Sequence, residues 1–277
     1  GDTSYQIDTS LFSGKEKDLA ENLNNISHGM EDVLQEQVKS ERLKADLITN
    51  VSHDIKTPLT SIINYVDLIK REHIQDPKIQ SYLSVLEQKS QRLKNLTEDL
   101  VEASKASSGN VKLEISDLNF TELVQQTGGE FEEKFAARRL DLVTHIPDGR
   151  LIIQADGRRL WRILENLYNN ACKYAMEGSR VYVDLKEEDG MAVFTIKNVS
   201  ESPLNIDASE LTERFVRGDV ARTTEGSGLG LSIAKNLTLL QKGTFDIIID
   251  GDLFKALVAF PVKKPEDPQE KQPDIPE

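Results

Sequence analysis

His53 stands in the run Val51-Ser52-His53-Asp54-Ile55-Lys56-Thr57-Pro58-Leu59-Thr60, where an imidazole, a carboxylate and a hydroxyl fall within about one helical turn of each other. An imidazole attacks a phosphoryl group through one ring nitrogen when an acceptor keeps the other protonated, and Asp54 is adjacent for that role. Thr57 follows at i+4 on the same helical face, where its hydroxyl can hold a water against a phosphohistidine. A second set lies in Asn166-Leu167-Tyr168-Asn169-Asn170-Ala171-Cys172-Lys173-Tyr174. Asn166, Asn170 and either Lys173 or Tyr174 recur at helical spacing. Neutral amide oxygens suit a Mg²⁺ that already carries triphosphate oxygens, and the Lys173 ammonium would attract the phosphates. A third set, Gly226-Ser227-Gly228-Leu229-Gly230-Leu231-Ser232, opens a helical pattern. Glycines there let the backbone approach a phosphate, and a helix N-terminus favours an anion. Polar residues rather than a strand precede it and no Lys-Ser/Thr follows, so it is neither a dinucleotide fingerprint nor a P-loop.

Each set alone has an ordinary reading: a solvated histidine, exposed asparagines, a glycine-rich turn. Several asparagines inside one helix still ask for an explanation, because asparagine is a poor helix former. Cys172 is expected to face the core rather than do chemistry. His28 and His73 lack flanking chemistry and His145 falls at a strand end, so all three are read as structural or solvated.

The elements that must position these groups follow from hydrophobic spacing. Leu19, Leu23, Ile26, Met30 and Val33 form a short heptad seam. After the charged stretch 36–46, Ile48, Ile55, Ile62 and Ile69 stand seven apart with Val51, Leu59 and Val66 between them, which reads as a long helix. His53 would lie on the face away from that isoleucine seam. The segment from His73 to Pro77 reads as a loop, and Ile79, Leu86, Leu93 and Leu100 repeat the seven-residue spacing. The result is an all-α antiparallel helical hairpin, too poor in apolar surface to stand alone and expected to form a dimeric four-helix bundle. Beyond Ala106–Asn110 the pattern becomes mixed, with strands expected at Lys112–Ile115, Asp141–Ile146, Val181–Lys186, Met191–Asn198, Thr244–Asp250 and Ala256–Phe260. Helices are expected at Phe120–Phe135, Arg158–Tyr174 and Gly230–Gln241. This order gives a separate α+β sandwich.

Bulk properties narrow the function. At 277 residues the chain holds more than one domain. A net charge of -13 argues against nucleic acid as a partner. No apolar run reaches the roughly 20 residues of a membrane span, and one cysteine without a signal peptide fits a reducing cytosol. The tail 263–277, with four prolines among charges, reads as disordered.

Taken together and in this order, the motifs closely resemble those of bacterial two-component sensor histidine kinases. Ser52–Thr60 resembles the phosphoacceptor box and Asn166–Tyr174 the asparagine box. Glu213-Arg214-Phe215-Val216-Arg217 resembles the phenylalanine box, and Gly226–Leu231 the second glycine box. The resemblance implies a HAMP-like signalling linker over 1–37, a dimerisation and histidine phosphotransfer domain over 38–108, and an ATP-binding domain of the histidine kinase/gyrase-like ATPase (Bergerat) type over 109–262. It implies that His53 is phosphorylated from Mg-ATP, that the phosphoryl group passes to an aspartate of a response regulator, and that the chain also acts as that regulator's phosphatase. ATP would be held by Asn166, Asn170, Lys173, Tyr174, Asn198, Arg217, Gly226, Gly228, Leu229 and Gly230, with Mg²⁺ on Asn166 and Asn170. The segment Asp207–Glu225 would be a lid over ATP. A homodimer is implied, and a natural protein anchored in the bacterial cell membrane through a segment not in this sequence.

One stretch departs from the family. Its first glycine box, Asp-x-Gly-x-Gly, is matched here by Asn198-Val199-Ser200-Glu201-Ser202. Asn198 can still accept from the adenine amino group, as a neutral oxygen whose own NH₂ needs a partner. The departure keeps a second reading open, a nucleotide-sensing signalling scaffold without kinase activity. The asparagine box and second glycine box favour the enzyme, since a scaffold has no need of magnesium ligands beside a phosphate cradle.

Overall fold

A computed structural model describes residues 7–8, 10, 12–72, 74, 76–108, 111–208, 210–212 and 228–263. The His53 side chain, His73, Arg217 and Gly226 lie outside the described residues, as do most of Asp207–Glu225 and all of 264–277. The chain divides into two units, Gly1–Asn110 and Val111–Glu277.

The first unit is a helical hairpin. Helix α1 spans Lys15–Arg71, 57 residues, and α2 spans Pro77–Ser107. The charged stretch 36–46, between the two heptad seams, does not break α1. It contains no glycine or proline, and its Glu, Lys, Gln, Arg and Ala residues are good helix formers. Pro58 sits inside the helix, where it cannot donate to the Asp54 carbonyl. The turn is sharp because Asp76 caps α2, accepting from the amides of Lys78 at 2.8 Å and Ile79 at 3.4 Å, with Pro77 at the first helical position. Lys70 reaches both carboxylate oxygens of Glu87 at 2.9 and 2.8 Å and fastens the two helices near the turn. Within one chain the hairpin buries Leu59, Val66, Leu83, Ala103 and Ala106. Ile55, Ile62 and Ile69 of the seam stay exposed, with Leu86 and Leu93.

The second unit is an α+β sandwich. Its strands are β1 (Ser116–Asn119), β2 (Asp141–His145), β3 (Ile152–Ala155), β4 (Arg180–Glu188), β5 (Met191–Val199), β6 (Thr244–Asp250) and β7 (Leu253–Pro261). Its helices are α3 (Phe120–Ala137), α4 (Gly157–Tyr174) and α5 (Gly230–Leu240). The main sheet runs β2-β4-β5-β7-β6, with β2 parallel to β4 and every other pairing antiparallel. Asp189 and Gly190 make the tight β4–β5 turn in left-handed conformations, φ 51 and 76, as an Asp-Gly hairpin requires. Alternate residues Val181, Val183, Leu185, Ala192, Phe194, Ile196, Phe254, Ala256, Val258 and Phe260 are buried on one face. Phe120 from α3 meets Phe194 and Phe260 there, and Tyr168 from α4 meets Phe194, with ring centroids 6.2–6.3 Å apart.

The strand expected at Lys112–Ile115 is not formed. That stretch is irregular because the Glu114 amide donates to the Asp156 carboxylate at 3.0 Å instead of to a ladder, and Ile115 is exposed. Pairing starts one residue later, β1 against β3 in a separate two-stranded sheet. The other expected strands and helices form with ends shifted by up to three residues.

Candidate nucleotide site

Helix α4 carries the asparagine set. Its core face is Leu160, Ile163, Leu164, Leu167, Tyr168 and Ala171, all buried. That face leaves Asn166, Asn170, Lys173 and Tyr174 half-buried on its flank. The Asn166 amide nitrogen donates to the Arg162 carbonyl at 2.9 Å, which fixes where its oxygen points. A methyl group built on Gly230, the first residue of α5, would stand 3.1 Å from Asn166 Oδ1. The second and third motifs are therefore brought together, and only a glycine leaves that approach open. Gly228 is left-handed at φ 70, and the α5 N-terminus behind Leu229 has no side-chain cap. Amides so placed suit an anion. Lys173 Nζ lies 4.8 Å from the Tyr174 ring centroid.

Asn198 is the last inward-facing residue of β5 and is 2% exposed. Its amide nitrogen donates to the Val199 carbonyl at 3.2 Å, while Oδ1 is buried without a partner. A buried acceptor left unpaired costs about 1–3 kcal/mol, so the oxygen fits a donor that arrives with a ligand. The strand end is stitched to the end of α4. The Met176 amide donates to the Val199 carbonyl at 2.9 Å and the Glu201 amide to the Tyr174 carbonyl at 2.8 Å. Ser200, where the family carries glycine, is itself held, its amide donating to the Asp252 carbonyl at 2.7 Å.

Two residues that support the site were not among those expected. Asp156 caps α4, accepting from the amides of Arg159 at 3.1 Å and Glu114 at 3.0 Å, while its own amide donates to Gln241 Oε1 at 2.7 Å. Burial pushes the Asp156 carboxyl up, yet the Glu114 and Arg159 amides outweigh it and hold it below the usual carboxylate range. An aspartate just before a helical pattern is a readable cap signal. Arg138, the residue that closes α3, bonds the carbonyls at the end of α4, and no local pattern announces it. Cys172, expected to face the core, instead lies half-buried beside the core face of α4, because Leu167, Tyr168 and Ala171 fill that face; its thiol is 3.6 Å from the Lys134 carbonyl and burial raises its pKa. His145 bonds Asp184 at 2.7 Å on the exposed side of the sheet, and Lys197 reaches the same carboxylate at 3.0 Å. In the hairpin, Asp54 and Thr57 are exposed on α1. No helix among the described residues is long and apolar enough to cross a membrane.

Residues 43–109 match the His Kinase A (phospho-acceptor) domain, and residues 155–270 match the Histidine kinase-, DNA gyrase B-, and HSP90-like ATPase family. The chain belongs to the bacterial two-component sensor histidine kinases. It is an ATP-dependent protein histidine kinase by its domains, and the scaffold alternative gives way to the enzyme. Among curated relatives, sensor histidine kinase YcbM of Bacillus subtilis (strain 168) is 26% identical over 234 residues, 83% of the kinase and 75% of YcbM. Sensor histidine kinase WalK of the same organism is 27% identical over 213 residues, 75% of the kinase and 35% of WalK. The kinase thus spans about a third of WalK. Among solved structures, full-length ShkA in complex with AMPPNP aligns with a TM-score of 0.65 at 20% identity, covering 78% of the kinase and 46% of ShkA. Acinetobacter baumannii histidine kinase AdeS aligns with a TM-score of 0.50 at 17% identity, covering 76% and 98%. These likenesses are of fold.

Proposed function

We propose that the kinase phosphorylates its own His53 from Mg-ATP, passes the phosphoryl group to an aspartate of a response regulator receiver domain, and also dephosphorylates that regulator. The observation that supports the nucleotide half is Asn198, whose buried and unpartnered oxygen is an acceptor suited to an adenine amino group. Asn166 and Asn170 would hold Mg²⁺, Lys173 would face phosphate oxygens, and Gly228, Leu229 and Gly230 would present backbone to the phosphates. Tyr174, Arg217 and Gly226 complete the proposed set. When bound, the metal supplies positive charge against the triphosphate.

In the transfer itself, the lone pair of one His53 ring nitrogen attacks the γ-phosphorus. The nitrogen–phosphorus bond forms as the bond to the β–γ bridging oxygen breaks, and ADP leaves with that electron pair. Asp54 keeps the proton on the other ring nitrogen. Thr57 would hold the water for the phosphatase reaction. The exposed Ile55, Ile62, Ile69, Leu86 and Leu93 support a homodimer, since their apolar surface favours burial against a second hairpin. We assign 1–37 to a signalling linker, 38–108 to dimerisation and phosphotransfer and 109–262 to ATP binding. A membrane anchor elsewhere in the natural protein belongs to the same reading.

The test is incubation with γ-labelled ATP. The expected label is acid-labile and base-stable, and it disappears in His53→Gln while helix content and dimer mass stay as in the parent. Label that persists in His53→Gln would remove His53 from the mechanism.

A further inference from the structure

The last carbonyls of an α-helix have no partner within the helix and are usually met by a glycine turn or by water. Helix α4 ends otherwise. The Ala171 carbonyl accepts from the Ala175 amide at 2.9 Å, and the Tyr174 carbonyl from the Glu201 amide. The remainder are taken by one side chain: Arg138 Nη1 donates to the Cys172 carbonyl at 3.1 Å and the Lys173 carbonyl at 2.5 Å, and Nη2 to the Ala175 carbonyl at 3.5 Å. Nη2 also meets a Glu201 carboxylate oxygen at 2.9 Å. Arg138 is anchored at its base. Its amide donates to the Phe135 carbonyl at 3.0 Å in the turn that closes α3, and Arg139 after it is left-handed at φ 56.

A fork of fixed donors can hold several carbonyls in one geometry, and its charge opposes the negative end of the helix dipole. The Arg138–Glu201 pair is too exposed to matter much by charge alone. What the fork contributes is rigidity at a junction: Lys173 and Tyr174 lie on one side of it, and Glu201, three residues past Asn198, on the other. Resting on the nucleotide site proposed above, we infer that Arg138 is a positioning residue for nucleotide binding, which fixes the asparagine face of α4 relative to Asn198.

The experiment compares the full chain with Arg138→Ala, Arg138→Lys, Asn198→Ala and the double variant Arg138→Ala/Asn198→Ala. Calorimetric titration gives ADP affinity, and self-phosphorylation rates give KM and kcat for ATP. Arg138→Ala should weaken ADP about tenfold and raise KM alike, with kcat within about twofold. Lysine, a point charge without the fork, should bind ADP about threefold more weakly than the parent. Because Arg138 acts through Asn198, the double variant should bind within about twofold of Asn198→Ala alone. Losses that multiply, or a folded Arg138→Ala with parental affinity, overturn the inference. Should alanine fail to fold, the lysine variant decides, with parental affinity counting against the clamp. If Asn198→Ala itself binds ADP like the parent, the adenine reading fails and takes this inference with it. A weakened Asn198→Ala beside an unchanged Arg138→Ala removes only the positioning role.

Discussion

Gly230→Ala separates what the α4–α5 approach does for folding from what it does for catalysis. The added methyl would stand 3.1 Å from Asn166 Oδ1 and 3.7 Å from its Cγ, so the oxygen must yield by a few tenths of an ångström. Asn166 is not free to retreat, because its nitrogen is held by the Arg162 carbonyl at 2.9 Å. The amide therefore swings about that anchor, at a rotamer cost of about 0.5–1.5 kcal/mol. Alanine offsets this by up to about 1 kcal/mol of helix propensity, less at a first turn. The two nearly cancel, and the melting temperature should move by only a few degrees. Catalysis has no such offset. If a misplacement of about 1 Å costs about a hundredfold, a few tenths should cost about three- to tenfold. The assay is the initial rate of self-phosphorylation across a Mg²⁺ titration, beside thermal unfolding without nucleotide. We expect half-saturation at higher Mg²⁺ and a slower rate in a protein that melts like its parent. Parental Mg²⁺ dependence and rate would show that Asn166 does not hold the metal.

Thr57→Ala should leave self-phosphorylation intact and slow dephosphorylation of the partner regulator by about tenfold or more; equal phosphatase rates would exclude Thr57. Asp156→Asn should cost about 1 kcal/mol at pH 7. Because the folded carboxyl titrates below its unfolded value near 4, its contribution is complete above that value and fades as pH falls through the lower one. Denaturant midpoints of parent and variant should converge as pH falls below the ordinary carboxylate range, and a gap independent of pH would refute the assignment. Gly243→Ala would set a methyl 2.7 Å from Phe260 Cε1 and 2.9 Å from the Ala259 carbonyl oxygen, backbone that cannot swing aside. It should lower stability by about 2–3 kcal/mol, and an unchanged urea midpoint would contradict the packing described.

What the sequence displayed was whatever repeats locally. The heptads of α1 and α2, the alternation in β4 and β5 and the amphipathic face of α4 each follow from a period of 3.5, 2 or 3.6 residues. The boundary of β1 was hidden because Lys112–Ile115 alternates like a strand, while the amide that decides the matter bonds Asp156, 42 residues on. The four-residue β3 is too short to show a period. The charged stretch 36–46 separated two heptad seams in the sequence, yet α1 runs through it unbroken because its residues favour helix. In the site, Asn166 and Gly230 were visible as motifs, but their approach to within about one methyl group was not.

The ends of α4 explain how a helix can carry poor helix formers where the chemistry needs them. Asparagine in a helix interior costs about half a kcal/mol or more against alanine, and α4 holds Asn166, Asn169 and Asn170. Against this stand six buried core residues on the adjoining face, the five larger of which are each worth more than that penalty. Both termini are also met by residues from other elements. Gln241 lies 85 residues from Asp156, and Arg138 lies 34 to 37 residues before the carbonyls it meets. Because these anchors are fixed by tertiary packing rather than by helix propensity, the exposed flank of α4 is released from the demand to favour helix. Amide side chains can then occupy it. The site residues are therefore legible as local violations of helix preference, and the residues that permit the violation are found only once the chain has folded.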